Sequence, residues 1–208
     1  MNSSSQIWSA FVTLLVTIGP IEAAAMFLIL TAGVHRHQRL SLALRSVTIA
    51  GLVLLVFALA GNVFLSLLRV SLQAFQIAGG LLLFLQALTL TFSKSGLSSL
   101  SEGEQREAQS PGDIAVFPLA FPVIAGPGSL SAVVLLTGRR ADFSSVAEIV
   151  GMLLTCLLIT LAAMLYSEGL GRFLGKTGSD VVGRISGVLL AALAVQFVID
   201  GLRHAGLG

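Results

Sequence analysis

The sequence predicts an all-α membrane protein in which six transmembrane helices form two inverted three-helix repeats, with helices 1 and 4 broken at Gly-Pro. Three observations lead to this fold class. Hydrophobic residues make up 55% of the 208 residues and charged residues only 11%, a balance that a soluble domain of this size could not bury. Six apolar segments are each long enough to cross a bilayer. Two of them contain a Gly-Pro dipeptide at a matching position, Gly19-Pro20 and Gly126-Pro127.

The first apolar segment continues through Gly19-Pro20 to about Thr31. No lysine or arginine precedes it, and it is longer than the core of a signal peptide, so we expect it to remain part of the fold. The other five segments lie at about 42–66, 70–92, 113–137, 146–167 and 181–202. Cys156, the only cysteine, excludes an intramolecular disulfide and a cysteine metal cluster, and we expect it to be a buried thiol.

A polar stretch divides the chain into two halves. Residues 93–112 are rich in serine, glycine and acidic residues, which is typical of a solvated linker. We therefore predict one integral membrane domain with a first three-helix repeat at 1–92 and a second at 113–208. Each half carries Gly-Pro in its first segment and a related motif in its third, Ile77-Ala78-Gly79 or Ile185-Ser186-Gly187. Because three crossings reverse the chain direction, the second repeat enters the membrane upside down, as in many secondary transporters.

The basic residues predict the orientation. Loops after segments one, three and five carry eight lysines and arginines, and the opposite side carries four. The first set is Arg36, Arg39, Arg45, Lys94, Arg106, Arg172, Lys176 and Arg184, and the second is Arg69, Arg139, Arg140 and Arg203. By the positive-inside rule the first set is cytoplasmic, and both termini face the periplasm or the exterior. Re-entrant hairpins at segments one and four would regroup the same charges into another eight-to-four split, so this alternative stays open.

The two Gly-Pro breaks form the predicted binding site. Proline fits the first turn of a helix, so a half-helix should begin after each break with its amide groups toward the bilayer centre, where they favour an anion. Pro118 and Pro122 free further carbonyls, which favour an ammonium group. A small zwitterion suits this pairing, and the alternative is that the prolines only kink packed helices. The predicted substrate-binding residues are Gly19, Pro20, Ile21, Glu22, Gly126, Pro127, Gly128 and Ser129.

Polar residues inside the apolar segments are candidates for ion coupling or for a polar pathway. They are Glu22, Gln76, Gln86, Gln196 and Asp200. Glu22 is the strongest, because a carboxylate at that depth is costly unless it is paired or hydrated; it could bind a proton or an ammonium group, or only cap the half-helix. Gln196 and Asp200 share one face of the sixth segment, and Asp200 could instead be a solvated group near the outer end.

The sequence contains no HExxH, P-loop, nucleophile elbow or His-Asp constellation, so we expect no enzyme, metal or cofactor. The net charge of +2 concerns orientation in the membrane rather than nucleic-acid binding. The expected partners are a small-molecule substrate and the lipid bilayer, and the sequence is compatible with an oligomer.

Four stretches resemble a known family. IAVFPLAFPVIAGPGSLSAVV (114–134) and RISGVLLAALAVQFVIDGL (184–202) are similar to the second half of the MarC family of bacterial inner-membrane proteins. GPIEAAAMFLILT (19–31) and IAGGLLLF (77–84) are similar to its first half. The resemblance implies a multi-pass, six-helix inner-membrane transporter of small neutral amino acids such as glycine or alanine, coupled to a proton or ion gradient.

This sequence departs from the family pattern at three positions. Gly19 stands where the family commonly has asparagine, and Gln76 stands where it commonly has a basic residue before the IAGG run. Glu22 is an added carboxylate. Two other functions fit the same segments. An ion channel would pass current without substrate, and a non-transporting assembly factor would tolerate Pro20→Ala and Pro127→Ala.

The two topologies make different predictions for the loop after the fourth segment. We expect a cysteine introduced at Arg139, in a background without Cys156, to react with a membrane-impermeant thiol reagent added outside the cell. Only six full crossings place this loop outside. Labelling of that cysteine solely in inside-out vesicles would support re-entrant hairpins instead.

Overall fold

The computed structural model describes residues 3–31, 34–92, 114–138 and 143–206, and all the regular secondary structure in these ranges is helical. The helical segments are α1 (Ser3–Ile18), α2 (Pro20–Leu30), α3 (Arg36–Leu67), α4 (Leu72–Phe92), α5 (Ala115–Ile124), α6 (Pro127–Gly138), α7 (Phe143–Leu165) and α8 (Ser167–His204). The predicted linker at 93–112 and the loop with Arg139 lie outside the described residues.

Five helical stretches of the described chain are long and apolar enough to cross a membrane. They are Ile7–Leu30, His37–Leu67, Leu72–Phe92, Ser144–Leu165 and Arg184–His204. Helices α5 and α6 pass the same test together but are bent by 54°, so they form either a broken sixth span or a re-entrant loop. Large apolar side chains such as Leu52 and Leu158 are each 65% exposed, as expected where a helix faces lipid. The prediction of an all-α membrane protein is confirmed, with five or six spans.

Helix α1 ends and α2 begins at Gly19-Pro20. Gly19 has a φ of 62°, a left-handed conformation that glycine adopts without a steric penalty. Pro20 occupies the first turn of α2, where its missing N–H has no helical acceptor to lose. The Gly19 N–H donates to the Leu15 carbonyl at 3.1 Å, and the Ala23 N–H donates to the Gly19 carbonyl at 2.9 Å. The chain therefore changes helix without leaving Gly19 unpaired, and α1 and α2 together make one span.

Helix α5 is irregular because two of its residues are extended. Phe117 has φ −127° and ψ 127°, and Phe121 has φ −136° and ψ 129°. Each precedes a proline, and the proline ring disfavours helical geometry in the residue before it. The Ala125 N–H donates to the Ala120 carbonyl at 2.8 Å, which closes the last turn of α5 before α6 starts at Pro127.

Helices α4 and α8 run antiparallel and touch through glycines. A Cβ atom on Gly80 would lie 2.8 Å from the Ala194 carbonyl oxygen, and one on Gly187 would lie 3.0 Å from the Ala87 carbonyl oxygen. Such close approach of two backbones requires small residues at the crossing, as in many membrane helix pairs. Gly187 of the second third-segment motif therefore packs against α4, whereas Gly79 of the first motif packs against Ser131 of α6 and the next residue, Gly80, faces α8.

The remaining contacts tie the two halves of the chain together. Helix α2 packs on α7 and α8, α6 packs on α3 and α4, α1 contacts α7, α5 contacts α3, and α3 contacts α7. The main apolar core takes residues from both halves, among them Phe27, Leu54, Ile124 and Leu153. Cys156 is buried, as predicted. Neither half has a separate core of its own among these residues.

The glycine contact between α4 and α8 predicts a contrast between two alanine substitutions. Gly80→Ala pushes a methyl group against the Ala194 backbone, and overpacking of this kind costs about 1–3 kcal/mol, which lowers Tm by about 3–10 °C in a chain of this size. Gly151→Ala in α7 is the control, because no atom of the described chain beyond the local backbone of α7 lies within 4 Å of its Cβ position. Alanine there improves helix propensity and should leave Tm unchanged or raise it. Thermal unfolding in detergent measures both, and equal shifts would contradict the packing argument.

Candidate functional site

Gln86 on α4 connects the two Gly-Pro breaks. Its side-chain amide hydrogen-bonds with the carboxylate of Glu22, which lies in the first turn of α2. Because an ionised carboxylate only accepts, the amide nitrogen is the donor. The amide oxygen Oε1 lies 3.8 Å from the Cβ position of Gly126. Two breaks that are far apart in the sequence thus approach the same side chain.

Glu22 folds back over the break that precedes it. Its Oε2 atom lies 3.0 Å from the Cβ position of Gly19. A side chain at position 19 would meet the carboxylate in addition to being strained by a φ of 62°. Glycine at position 19 and the carboxylate at position 22 are therefore structurally linked, and these are two of the three departures noted in the sequence.

Ser129 occupies in α6 the position that Glu22 occupies in α2, two residues after the proline. Its hydroxyl oxygen lies 2.8 Å from the Ile124 carbonyl oxygen and 3.0 Å from the Gly126 carbonyl oxygen. The hydroxyl therefore donates to carbonyls at the break, although the Gly126 carbonyl also accepts the Leu130 N–H at 3.0 Å. Sequence reasoning gave Ser129 a contact with substrate, and in this state its proton is used by the backbone.

Helix α4 covers the second break at close range. A Cβ on Gly128 would overlap the Leu83 side chain, and one on Gly126 would overlap the carbonyl oxygen of Pro122. Pro20 and Pro127 are both half-buried. The wall of the candidate site at the second break is therefore mainly backbone.

Ile21 contributes differently from the other predicted binding residues. Its side chain is 44% exposed, whereas its backbone lies directly after Pro20 in the first turn of α2. Backbone N–H groups in a first turn lack helical acceptors. The amide of Ile21 rather than its side chain is the group available to a ligand.

The other predicted polar residues lie apart from this cluster. Gln196 is exposed on α8, and its amide nitrogen donates to Asp200 Oδ1 at 2.8 Å. The structure thus gives this pair partners on its own helix. Gln76 is buried with 4% of its surface exposed, and it lies about 15 Å from Gln86 along α4, given a rise of about 1.5 Å per residue. Within the described ranges, no group of three or more metal-ligating side chains could hold a metal ion.

A second polar contact was not predicted from the sequence. Arg39 of α3 forms an ion pair with Glu168 of α8. The sequence analysis used Arg39 only to infer orientation, and no spacing in the sequence relates the two residues. The only feature of the sequence that could have suggested this ion pair is the position of Glu168, an acidic residue in a loop on the side rich in basic residues.

Comparisons with known proteins agree with the sequence resemblance. The model of the MarC family integral membrane proteins matches residues 4–205. The UPF0056 inner membrane protein YhgN of Escherichia coli is 32% identical over 201 residues, which cover 96% of this chain and 97% of the relative. A UPF0056 membrane protein of Methanocaldococcus jannaschii is 32% identical over 196 residues, with 94% and 95% covered. The UPF0056 membrane protein YvbG of Bacillus subtilis is 30% identical over 194 residues, with 93% and 92% covered.

No solved structure matches the chain. The family model and the relatives nevertheless cover the stretches with both Gly-Pro dipeptides and all the candidate spans from Ile7 to His204. The names of the relatives describe membrane proteins, and the helices described above are long and apolar enough for several crossings. This chain is a multi-pass integral membrane protein, and it belongs to the MarC family.

Proposed function

We propose that this protein transports small zwitterionic amino acids such as glycine or alanine across the bacterial inner membrane, through a site between the two Gly-Pro breaks. The position of Gln86 carries the proposal, because its amide bonds to Glu22 and faces Gly126. Polar groups gathered between interrupted helices are typical of the substrate sites of secondary transporters. We expect no enzymatic activity.

The helix packing supports an inverted-repeat architecture with helices 1 and 4 broken. Exchanging α1–α4 with α5–α8 converts the contact of α2 with α7 into that of α6 with α3, and the contact of α2 with α8 into that of α6 with α4. The contacts of α1 with α7 and of α5 with α3 are equivalent in the same way. With six crossings, each repeat has three, and both termini lie on the periplasmic side in agreement with the positive-inside rule.

The carboxylate of Glu22 is the proposed ligand for the ammonium group of the substrate. Gln86 now donates a hydrogen bond to it from an uncharged amide, and an ammonium group would replace that bond with a stronger one in which donor and acceptor are both charged. The amide oxygen of Gln86 lies beside Gly126, one residue before α6 begins. The carboxylate of the substrate would take the place of that oxygen and accept hydrogen bonds from the first amides of α6.

This arrangement favours a substrate with a small side chain. The ammonium and carboxylate groups of an α-amino acid are close together, as are the nitrogen and oxygen of the amide that they would displace. Leu83 and the backbone at Gly126 and Gly128 leave little space around the second break. A hydrogen atom or a methyl group fits such a wall better than a branched or aromatic side chain does.

Coupling to a proton gradient is assigned to Glu22. A carboxylate within a span is costly to hold charged without a partner, so loss of the substrate ammonium group favours uptake of a proton. Glu22 is also close to the junction at Gly19, where a φ of 62° separates α1 from α2.

Replacement of Glu22 tests its two proposed roles together, as the ligand of the ammonium group and as the carrier of the coupled proton. In proteoliposomes, we expect wild-type protein to exchange labelled glycine or alanine and to accumulate it when a proton gradient is imposed. Glu22→Gln should lose at least about 90% of the gradient-driven accumulation, because a carboxamide cannot carry a proton. Glu148→Gln, at an exposed carboxylate of α7, is the matched control and should behave as wild type.

Three results of this experiment would count against the proposal. Absence of exchange of any small amino acid by the wild-type protein would exclude the transporter, and current without substrate would favour an ion channel. Full proton-driven accumulation by Glu22→Gln would remove Glu22 from coupling.

Replacement of Gln86 tests whether its amide occupies the substrate site. We expect Gln86→Ala to lower the substrate concentration for half-maximal exchange about threefold to tenfold, because the substrate no longer displaces a hydrogen bond with a net value of about 0.5–1.5 kcal/mol. Gln73→Ala on the same helix is the control and should leave the value unchanged. A higher half-maximal concentration in Gln86→Ala would instead make Gln86 a direct ligand of the bound substrate.

A further inference from the structure

The two halves of the chain are joined by charged residues at the C-terminal end of α2. Arg39 near the start of α3 forms an ion pair with Glu168 in the first turn of α8. The Arg39 guanidinium carbon also lies 5.6 Å from the ring centroid of Phe27, within the range of a cation–π contact. Phe27 lies one turn before the end of α2. The three residues, which we term the Arg39 cluster, therefore link α2, α3 and α8.

The Arg39 cluster lies beyond the candidate site toward the C-terminal end of α2, and its exposure differs from residue to residue. Phe27 is only 1% exposed, whereas the side chains of Arg39 and Glu168 are 12% and 55% exposed. Exposure thus increases from Phe27 outward to Glu168. Along α2, Phe27 follows Glu22 by about 7.5 Å at a rise of about 1.5 Å per residue. Phe27 and the ion pair beside it therefore lie between the level of Glu22 and the C-terminal end of α2.

Ser167 adds an unfavourable feature at the same junction. Its hydroxyl is buried next to Glu168 and has no hydrogen-bond partner within the part of the chain that the structure describes. A buried hydroxyl without a partner is destabilising, and access to water removes that penalty. The ion pair between Arg39 and Glu168 therefore stabilises the present arrangement of α3 and α8, whereas the Ser167 hydroxyl destabilises it.

The corresponding end of α6 is held in another way. A Cβ on Gly61 of α3 would lie 2.6 Å from Cγ2 of Val134, and one on Gly138 would lie 2.7 Å from Oδ1 of Asn62. Close packing of small and apolar groups fixes α6, whereas a charged pair fixes α2. An ion pair can be exchanged for hydration of both charges, which is possible only where water enters.

We propose that Arg39, Glu168 and Phe27 form a gate that closes the candidate site toward the side of the loops after segments one and five, the cytoplasm by the charge distribution. Opening separates the start of α3 from the start of α8, hydrates both charges and gives the Ser167 hydroxyl a partner. The gate rests on the proposed function, because the site that it closes is the one between the two breaks.

Cysteine labelling tests the gate without any substrate. Cys156→Ser provides a background without thiols, and Ala24→Cys places a reporter on α2 between Glu22 and Phe27, at a position that is fully buried. A membrane-impermeant methanethiosulfonate reagent is added to inside-out vesicles. We expect Arg39→Gln and Glu168→Gln each to raise the labelling rate about fivefold, a ratio that corresponds to about 1 kcal/mol. Ser167→Ala should lower the rate, since it removes the group that favours opening.

Two controls separate the gate from a general loosening of the fold. Arg45→Gln alters an exposed arginine of the same helix and should leave the rate at the background value. The double variant Arg39→Glu with Glu168→Arg exchanges the two charges, and we expect it to restore the slow labelling of the background protein. If Ala24→Cys does not fold, Ala23→Cys, at another fully buried position between Glu22 and Phe27, serves as the reporter.

The gate is wrong if Arg39→Gln labels at the same rate as Arg45→Gln, or if the charge exchange labels as fast as either single variant. Because labelling needs no amino acid, these results are independent of the transport assays. Transport with an unchanged labelling rate would overturn the gate alone. If the labelling rates of the variants change as expected but no amino acid is exchanged, the proposed substrate is wrong and the gate is supported.

Discussion

A backbone that is interrupted inside a membrane must find its hydrogen-bond partners within the protein, because lipid offers none. This constraint governs both Gly-Pro breaks. At the first break, Gly19 keeps its own N–H and carbonyl in the flanking helices, and the nearby carboxylate of Glu22 takes a donor from α4. At the second break, the Ser129 hydroxyl serves carbonyls of its own segment. The glycine contacts between α4 and α8 and the fit of Leu83 over Gly128 hold α4 close enough to take part.

The two breaks satisfy that constraint in different ways. Ser129 acts locally, so the hydrogen bonds of its hydroxyl at the second break need no polar side chain from α4. Glu22 depends on a side chain from another helix, and its position is therefore sensitive to the distance between α2 and α4. The first break is thus the one whose polar partner can change when helices move, and both sequence departures in contact with each other, Gly19 and Glu22, lie there.

Much of the fold follows from local sequence. Hydropathy locates the candidate spans because lipid selects for long apolar runs, and the helix boundaries at Pro20 and Pro127 follow from the restricted backbone of proline. Contacts between segments could not be predicted in this way. Gln86 has no sequence relation to Glu22 or Gly126, and Arg39 has none to Glu168. These pairs depend on how distant helices pack, whereas Gln196 and Asp200 were placed together correctly because a helix repeats its face every four residues. The roles of the site residues stay predictions.

The contact between α4 and α8 has a mechanical consequence. When the first and second halves of the chain exchange places, this helix pair maps onto itself, unlike the contacts of α2 and α6. In the proposed transporter, such a pair would keep its contact in both the inward-facing and the outward-facing state, and backbones that touch at Gly80 and Gly187 have little freedom to slide. Helices α4 and α8 would then be the static part of the molecule, and the half-helices α2 and α6 would move relative to them. Gln86 lies on α4, so it would stay in place while each Gly-Pro break in turn moves toward it or away from it.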